Sequence, residues 1–257
     1  MSDVGDPVLL GLDDRHRQDH YYLSAGDRCF YFYVYRPGSR SSGVNRLIRN
    51  FKCPLHGVRH DARRARSKAA AIRRIAMLLR TRVPRQLVEG ATWIPIPTSM
   101  PREHPEFDNR LEKALHLAFA DYDRDVRPAL RVLGPALADH FAGQRLRLEA
   151  LQGLIAVDRA ALRDGPLRER IVLFDDLLTS GKHYRCCERA LHDVLPGIPI
   201  SGCFIARRVP PRRLGQAAAY GKWAACRPCE TSLVCRRRAR RDAAIGGAPT
   251  ANCAPRP

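Results

Sequence analysis

The run Ile171-Val172-Leu173-Phe174-Asp175-Asp176-Leu177-Leu178-Thr179-Ser180-Gly181-Lys182-His183 constrains the fold more than any other part of the chain. Four consecutive apolar residues, Ile171 to Phe174, predict a strand covered on both faces. A strand so covered needs helices on either side of its sheet, which is an α/β architecture. The two acids that follow fall at the carboxyl edge of that sheet, where open α/β folds bind ligands. Burying adjacent carboxylates is costly, so the pair requires a reason beyond packing.

The flanking elements alternate in type. Thr92 to Pro97 predicts a strand whose Pro95 and Pro97 cannot donate to a ladder, so its end opens into a polar loop at 98–109. A helix is expected at 110–120, a strand at 127–133, a helix at 145–154, a helix from His183 to about Leu195 ended by Pro196-Gly197, and a strand at 198–206. Alternation of this kind predicts a doubly wound, mostly parallel sheet. Upstream, the aromatic segment Tyr21 to Tyr35 predicts a hairpin around Gly26-Asp27, and 44–51 a short helix. The first 20 residues, acidic and turn-rich, are expected to pack late or not at all. The expected organisation is an N-terminal extension at 1–56, an α/β domain at 57–214, and a basic tail without fixed structure at 215–257. The tail's composition suits either a flexible basic segment or GC-rich coding sequence read out of frame.

The net charge of +19 is unevenly placed. Residues 207–257 hold twelve Lys and Arg against two acids, and residues 57–90 hold ten against two, leaving the rest nearly neutral. The chain as a whole is therefore not a polyanion-binding surface. Between 61 and 82, Ala65, Ala69, Ile72, Ile75, Ala76 and Leu79 recur at helical spacing, surrounded by Arg63, Arg64, Arg66, Lys68, Arg73, Arg74 and Arg80. This basic helix offers either a solvated face or a contact for nucleic acid. Neither a membrane span nor a signal peptide is legible, and a cytoplasmic protein with no membrane partner is expected. Of the nine cysteines, Cys226, Cys229 and Cys235 have the only metal-like spacing, with Cys53 and His56 able to complete a set. A zinc module needs two close pairs, and the chain has one. Cys186 and Cys187 fall within a predicted helix as small apolar groups.

Thr179-Ser180-Gly181 forms a tight turn into the next helix, where backbone N–H groups, two hydroxyls and the positive end of the helix dipole converge on a dianionic phosphate. Gly181 permits a left-handed torsion and close backbone approach. Acids for diol hydroxyls stand about five residues before this cradle, a combination suited to a ribose 5-phosphate. The triphosphate-binding loop, G-x-x-x-x-G-K-[ST], is absent from the segment.

The segment resembles the phosphoribosyl-diphosphate signature of type I phosphoribosyltransferases: four apolar residues, two acids, then a hydroxyl-hydroxyl-glycine turn. Weaker similarity to the ComF-like branch spans 90–210, through Trp93-Ile94-Pro95-Ile96-Pro97 and Phe107-Asp108-Asn109-Arg110. Where that branch has Arg-Gly, this chain has Pro105-Glu106, and the branch's amino-terminal zinc module is missing. The resemblance implies that Asp175 and Asp176 hold the ribose 2- and 3-hydroxyls and that Thr179, Ser180, Gly181, Lys182 and His183 bind the 5-phosphate. It implies Mg²⁺ carried by the substrate, with Asp175 and Asp176 as its protein neighbours. Thr98, Ser99, Arg102, Arg110 and Arg145 are the candidates for the pyrophosphate side, and the aromatic segment at 21–51 for a hood over the acceptor. The expected ligand is phosphoribosyl diphosphate or a nucleotide. The expected activity is phosphoribosyl transfer to a base or amine, with a non-catalytic sensor as the alternative and a homodimer as the assembly.

Overall fold

The computed structural model describes residues 6–39, 42–134 and 148–210. Arg145 and the segment 215–257, with Cys226, Cys229 and Cys235, lie outside the described residues. The strands are β1 (Leu10–Gly11), β2 (Arg28–Tyr35), β3 (Ala91–Pro95), β4 (Asp125–Val126), β5 (Leu130–Val132), β6 (Ile155–Val157), β7 (Arg170–Leu178) and β8 (Ile200–Arg208). Six of them form one sheet in the order β1-β2-β8-β7-β3-β4, parallel at every junction except β1 with β2. β5 and β6 pair as a separate antiparallel ribbon. The mixed α/β class and the mostly parallel sheet expected from the alternation are both present.

Alternating side chains divide the core into two layers. Val172, Phe174, Trp93 and Ile205 face the helices Gly43–Phe51, Ala62–Arg82 and Arg110–Ala118, while Ile171, Leu173, Ile94 and Phe204 face the helix Lys182–His192. Trp93 is fully buried, with the Phe119 ring edge-on at 5.0 Å. Asp61 caps the long helix by accepting from the N–H groups of Arg63 and Arg64, and the chain turns extended at Val83, ahead of Pro84. Cys29, Cys186, Cys187 and Cys203 are buried thiols, and burial pushes each of them up from the ordinary thiol range. No helix among the described residues is long and apolar enough to cross a membrane.

Several expectations are corrected. Residues 6–20 are not a loose leader: Leu10 and Gly11 pair with β2, and Leu12 and His20 are buried. Tyr21 to Tyr35 is not a hairpin, because only 28–35 is extended, and that strand lies parallel to β8 inside the main sheet. Tyr31, Phe32 and Tyr33 are core residues, so this strand is not a hood, and the extension shares the sheet of the α/β domain. The strand expected at 127–133 is Leu130–Val132 of the ribbon; the sheet position beside β3 belongs to Asp125–Val126. The chain leaves the sheet at Arg127, whose buried guanidinium donates to the carbonyls of Leu162, Gly165 and Pro166.

The direction of the crossovers reverses between β3 and β7. From β3 the chain crosses outward through Arg110–Ala118 to β4, and from β7 it crosses the opposite way through Lys182–His192 to β8. The two connections diverge onto opposite faces at the carboxyl ends of β3 and β7, the position at which open α/β sheets form a ligand crevice.

Gly202 of β8 tests the packing beneath that crevice. A β-carbon there would stand 2.7 Å from the Phe204 ring and 3.0 Å from the Tyr184 ring, whereas one at Gly26 meets nothing. Gly202→Val is expected to lower stability by about 1–3 kcal/mol in chemical denaturation, and Gly26→Ala to leave the midpoint nearly unchanged.

Candidate functional site

β7 runs through the two acids to Leu178 rather than ending at them. Its pairing with β3 stops at Pro95 opposite Phe174, with one further bond from Ile96 N–H to the Phe174 carbonyl. The acids thus emerge where a proline-containing neighbour can no longer extend the ladder. Because successive strand residues point to opposite faces, Asp176 shares the side of Phe174 and Asp175 that of Leu173.

Asp176 lies in a chain of alternating charge that is buried except at the exposed Lys52. Its Oδ1 accepts from Lys52 Nζ at 2.8 Å and its Oδ2 from Arg110 Nη2 at 2.7 Å. Arg110 Nη1 donates to Asp108 Oδ2 at 3.0 Å, and Lys68 Nζ donates to the same oxygen at 2.6 Å and to the carbonyls of Phe51 and Cys53. The Arg110 guanidinium also stands 5.6 Å from the Phe51 ring centre. Burial alone would raise Asp176, but the two cations outweigh it and hold the carboxyl below its ordinary range. Among the described residues no cation is bonded to Asp175, and the more distant charges of Lys52 and Arg110 offset its burial only in part. Burial, and then the Asp176 charge beside it, push it up to about 7, although its Oδ1 accepts from the Asp176 N–H at 2.7 Å.

Thr179, Ser180 and Gly181 turn directly into the Lys182–His192 helix, with Gly181 at φ 82° as its N-cap. This is the left-handed torsion the sequence anticipated. The turn has a backing. His20 Nδ1 donates to the Thr179 carbonyl, and Tyr22 N–H donates to the Ser180 carbonyl at 2.9 Å. In a trans peptide C=O and N–H point oppositely, so the Ser180 and Gly181 N–H groups are directed away from 20–23. Leu23 packs so closely on Gly181 that a β-carbon there would stand 2.8 Å from it. Arg185 fastens the segment by donating to the Tyr22 carbonyl, Ser24 Oγ and Asp27. Lys182 is buried, with Nζ 5.7 Å from the Tyr22 ring centre, and His183 is exposed.

The pyrophosphate-side candidates separate. Thr98 and Ser99 lie on the loop after β3, and the Thr98 hydroxyl is buried without a protein partner. Arg102 donates to Glu112 at 2.7 Å and stacks on Phe107, while Arg110 belongs to the buried charge chain. Glu106, which occupies the resembling motif's glycine position, accepts from Arg59 Nη1 and His56 N–H at 2.8 Å and so ties the loop to the Leu55–Arg59 helix. Among the described residues no cluster of three His, Cys, Asp or Glu is set to hold a metal ion. Asp175 offers one carboxylate to a cation that a ligand's phosphates would also hold, which suits Mg²⁺.

Sequence reasoning missed Lys52, Asp108 and Lys68 as charge partners and His20 as a backing group. Lys68 was detectable. Counted with Ala71, Ile75 and Leu79 it lies on the helix's buried stripe, so it is not among the exposed cations where the composition had placed it. Lys52 and His20 stand 124 and 159 residues from their partners, a separation no local pattern spans.

Asp175 stays protonated in the folded chain between its ordinary value of 3.8 and about 7, where the unfolded chain has lost the proton. Folded-state stability therefore falls as pH rises through that window and loses nothing further above it. Asp175→Asn is expected to raise the denaturation midpoint at pH 8 and leave it unchanged at pH 3. Asp176→Asn leaves Arg110 with Asp108 as its one carboxylate partner and should cost about 1.5–3 kcal/mol near neutrality, a deficit that shrinks as acid protonates Asp176 in the wild type. No protein-family model matches the chain, and no curated protein matches it.

Proposed function

We propose that this chain has the type I phosphoribosyltransferase fold and binds phosphoribosyl diphosphate or a nucleotide 5′-phosphate in the crevice between β3 and β7. The observation that carries this reading is the coincidence of three features at one sheet edge. The topological switch point, a destabilised carboxyl at Asp175 and a left-handed glycine turn opening a helix of eleven residues all meet there. In this reading the N–H groups and hydroxyls of Thr179 to Lys182 take the 5-phosphate, and Asp175 accepts from the ribose hydroxyls. Asp176 is a positioning residue that fixes the strand end through Lys52 and Arg110. Ligand hydroxyls and a cation would stabilise the ionised form of Asp175, which burial and the Asp176 charge disfavour.

Transfer would proceed by departure of pyrophosphate from an oxocarbenium-like ribose. Mg²⁺, held by the substrate phosphates and Asp175, would supply neutralising charge for the leaving group. Thr98 and Ser99 supply hydroxyl donors on that side, and Arg102 a guanidinium once it leaves Glu112. A sensor that binds without turnover is the second reading. It is favoured by the pairing of Asp176, Arg102 and Arg110 within the protein, which leaves the leaving-group side short of uncommitted cations.

Calorimetric titration with phosphoribosyl diphosphate, with and without Mg²⁺, tests both. Binding strengthened by Mg²⁺ is expected, and Asp175→Asn should weaken it about 10- to 100-fold, as for hydrogen bonds to a charged acceptor. Pyrophosphate release over a panel of bases and amines then marks a transferase, and binding without release marks the sensor. Absence of binding would remove both readings.

A further inference from the structure

The helix Ala62–Arg82 carries a second feature, unconnected with the crevice. Its acidic neighbours take up part of its charge: Arg64 pairs with Asp61, Arg80 with Asp121, Arg82 with Asp6, and Lys68 is buried against Asp108. Arg63, Arg66, Arg73 and Arg74 are all exposed, and among the described residues none of them is within ion-pair distance of a carboxylate. At about 100° per residue these four fall within roughly 100° of arc together with exposed Ala70 and Met77, opposite the stripe of Ala71, Ile75 and Leu79 that enters the core.

We infer that this stripe is a docking surface for B-form DNA, with Arg63 and Arg66 on one phosphate rim of the major groove and Arg73 and Arg74 on the other. At about 1.5 Å per residue the two pairs are centred roughly 13 Å apart, close to the major-groove width of about 12 Å. Guanidinium groups suit phosphate oxygens through bidentate bonds, and the small Ala70 between the pairs keeps the middle of the stripe flat. A lipid surface fits less well. Membrane-surface helices insert an apolar face, and here that face is consumed by the core, with Ile75 and Leu79 fully buried. Double-stranded RNA fits less well too, because its deep, narrow major groove does not admit a helix.

The test uses the full chain, whose tail is itself basic, and compares variants of equal charge change. Fluorescence anisotropy with a mixed-sequence 20-base-pair DNA duplex is followed over a range of salt. Changing Arg63, Arg66, Arg73 and Arg74 to Gln is expected to lower affinity at least 100-fold and to reduce the slope of log affinity against log salt by about 3–4, close to 0.9 per lost phosphate contact. A control replacing Arg15, Arg64, Arg80 and Arg85 by Gln removes the same charge outside the stripe and should shift affinity less than fivefold. Circular dichroism and the denaturation midpoint confirm that both variants fold. The inference is overturned if the two variants lose affinity equally, if the stripe variant keeps the wild-type slope, or if the wild type binds an RNA duplex of the same sequence or anionic vesicles more tightly than the DNA.

Discussion

The buried carboxylate of Asp176 holds this architecture together. Through Lys52 it joins the N-terminal region to the central strand, and through Arg110 it fixes the start of the helix that leads away from β3. The chain of charge continues through Asp108 to Lys68, which brings in the longest helix and closes the carbonyls of Phe51 and Cys53. Each charge has an opposite neighbour, and Asp176, Arg110 and Asp108 each have two. Loss of either carboxylate leaves the buried Arg110 with one partner in place of two.

The same arrangement explains why two adjacent acids differ so sharply. Strand geometry sends them to opposite faces, and both cations bond to Asp176 and not to Asp175. At Asp175 burial and the like-charged neighbour outweigh the partial relief that Lys52 and Arg110 give from a distance. One acid serves the fold, and the other is costly to the fold. A costly residue at a topological switch point is where function is expected to reside. The turn beyond is organised from behind: donors on 20–23 occupy its carbonyls, and the planarity of the peptide group then directs its N–H groups outward. The outward set of this turn depends on the N-terminal segment as much as on the helix it opens.

Local pattern made the sheet's centre and its helices legible. Ile171 to Phe174 gave a strand because both faces are apolar, and the long helix was readable from its periodicity and from Pro84 beyond its end. The turn at Gly181 followed from residue chemistry. What local pattern could not supply was partnership at a distance. The aromatic run before Tyr35 has the composition of a hairpin, yet its partner is β8, more than 160 residues later in the chain. Asp175 and Asp176 look equivalent in sequence, and only tertiary placement of Lys52 and Arg110 distinguishes them. Composition also misplaced Lys68, since a charge counted in a basic helix is assigned to solvent by default.

The most direct test of the central claim is nuclear magnetic resonance of the labelled chain during addition of phosphoribosyl diphosphate with Mg²⁺. The largest backbone amide shifts are expected at Ser180, Gly181 and Lys182, accompanied by a change of the Asp175 side-chain carboxyl carbon toward its ionised position. Shifts confined to other parts of the molecule, or a carboxyl carbon at Asp175 that does not respond, would contradict that claim.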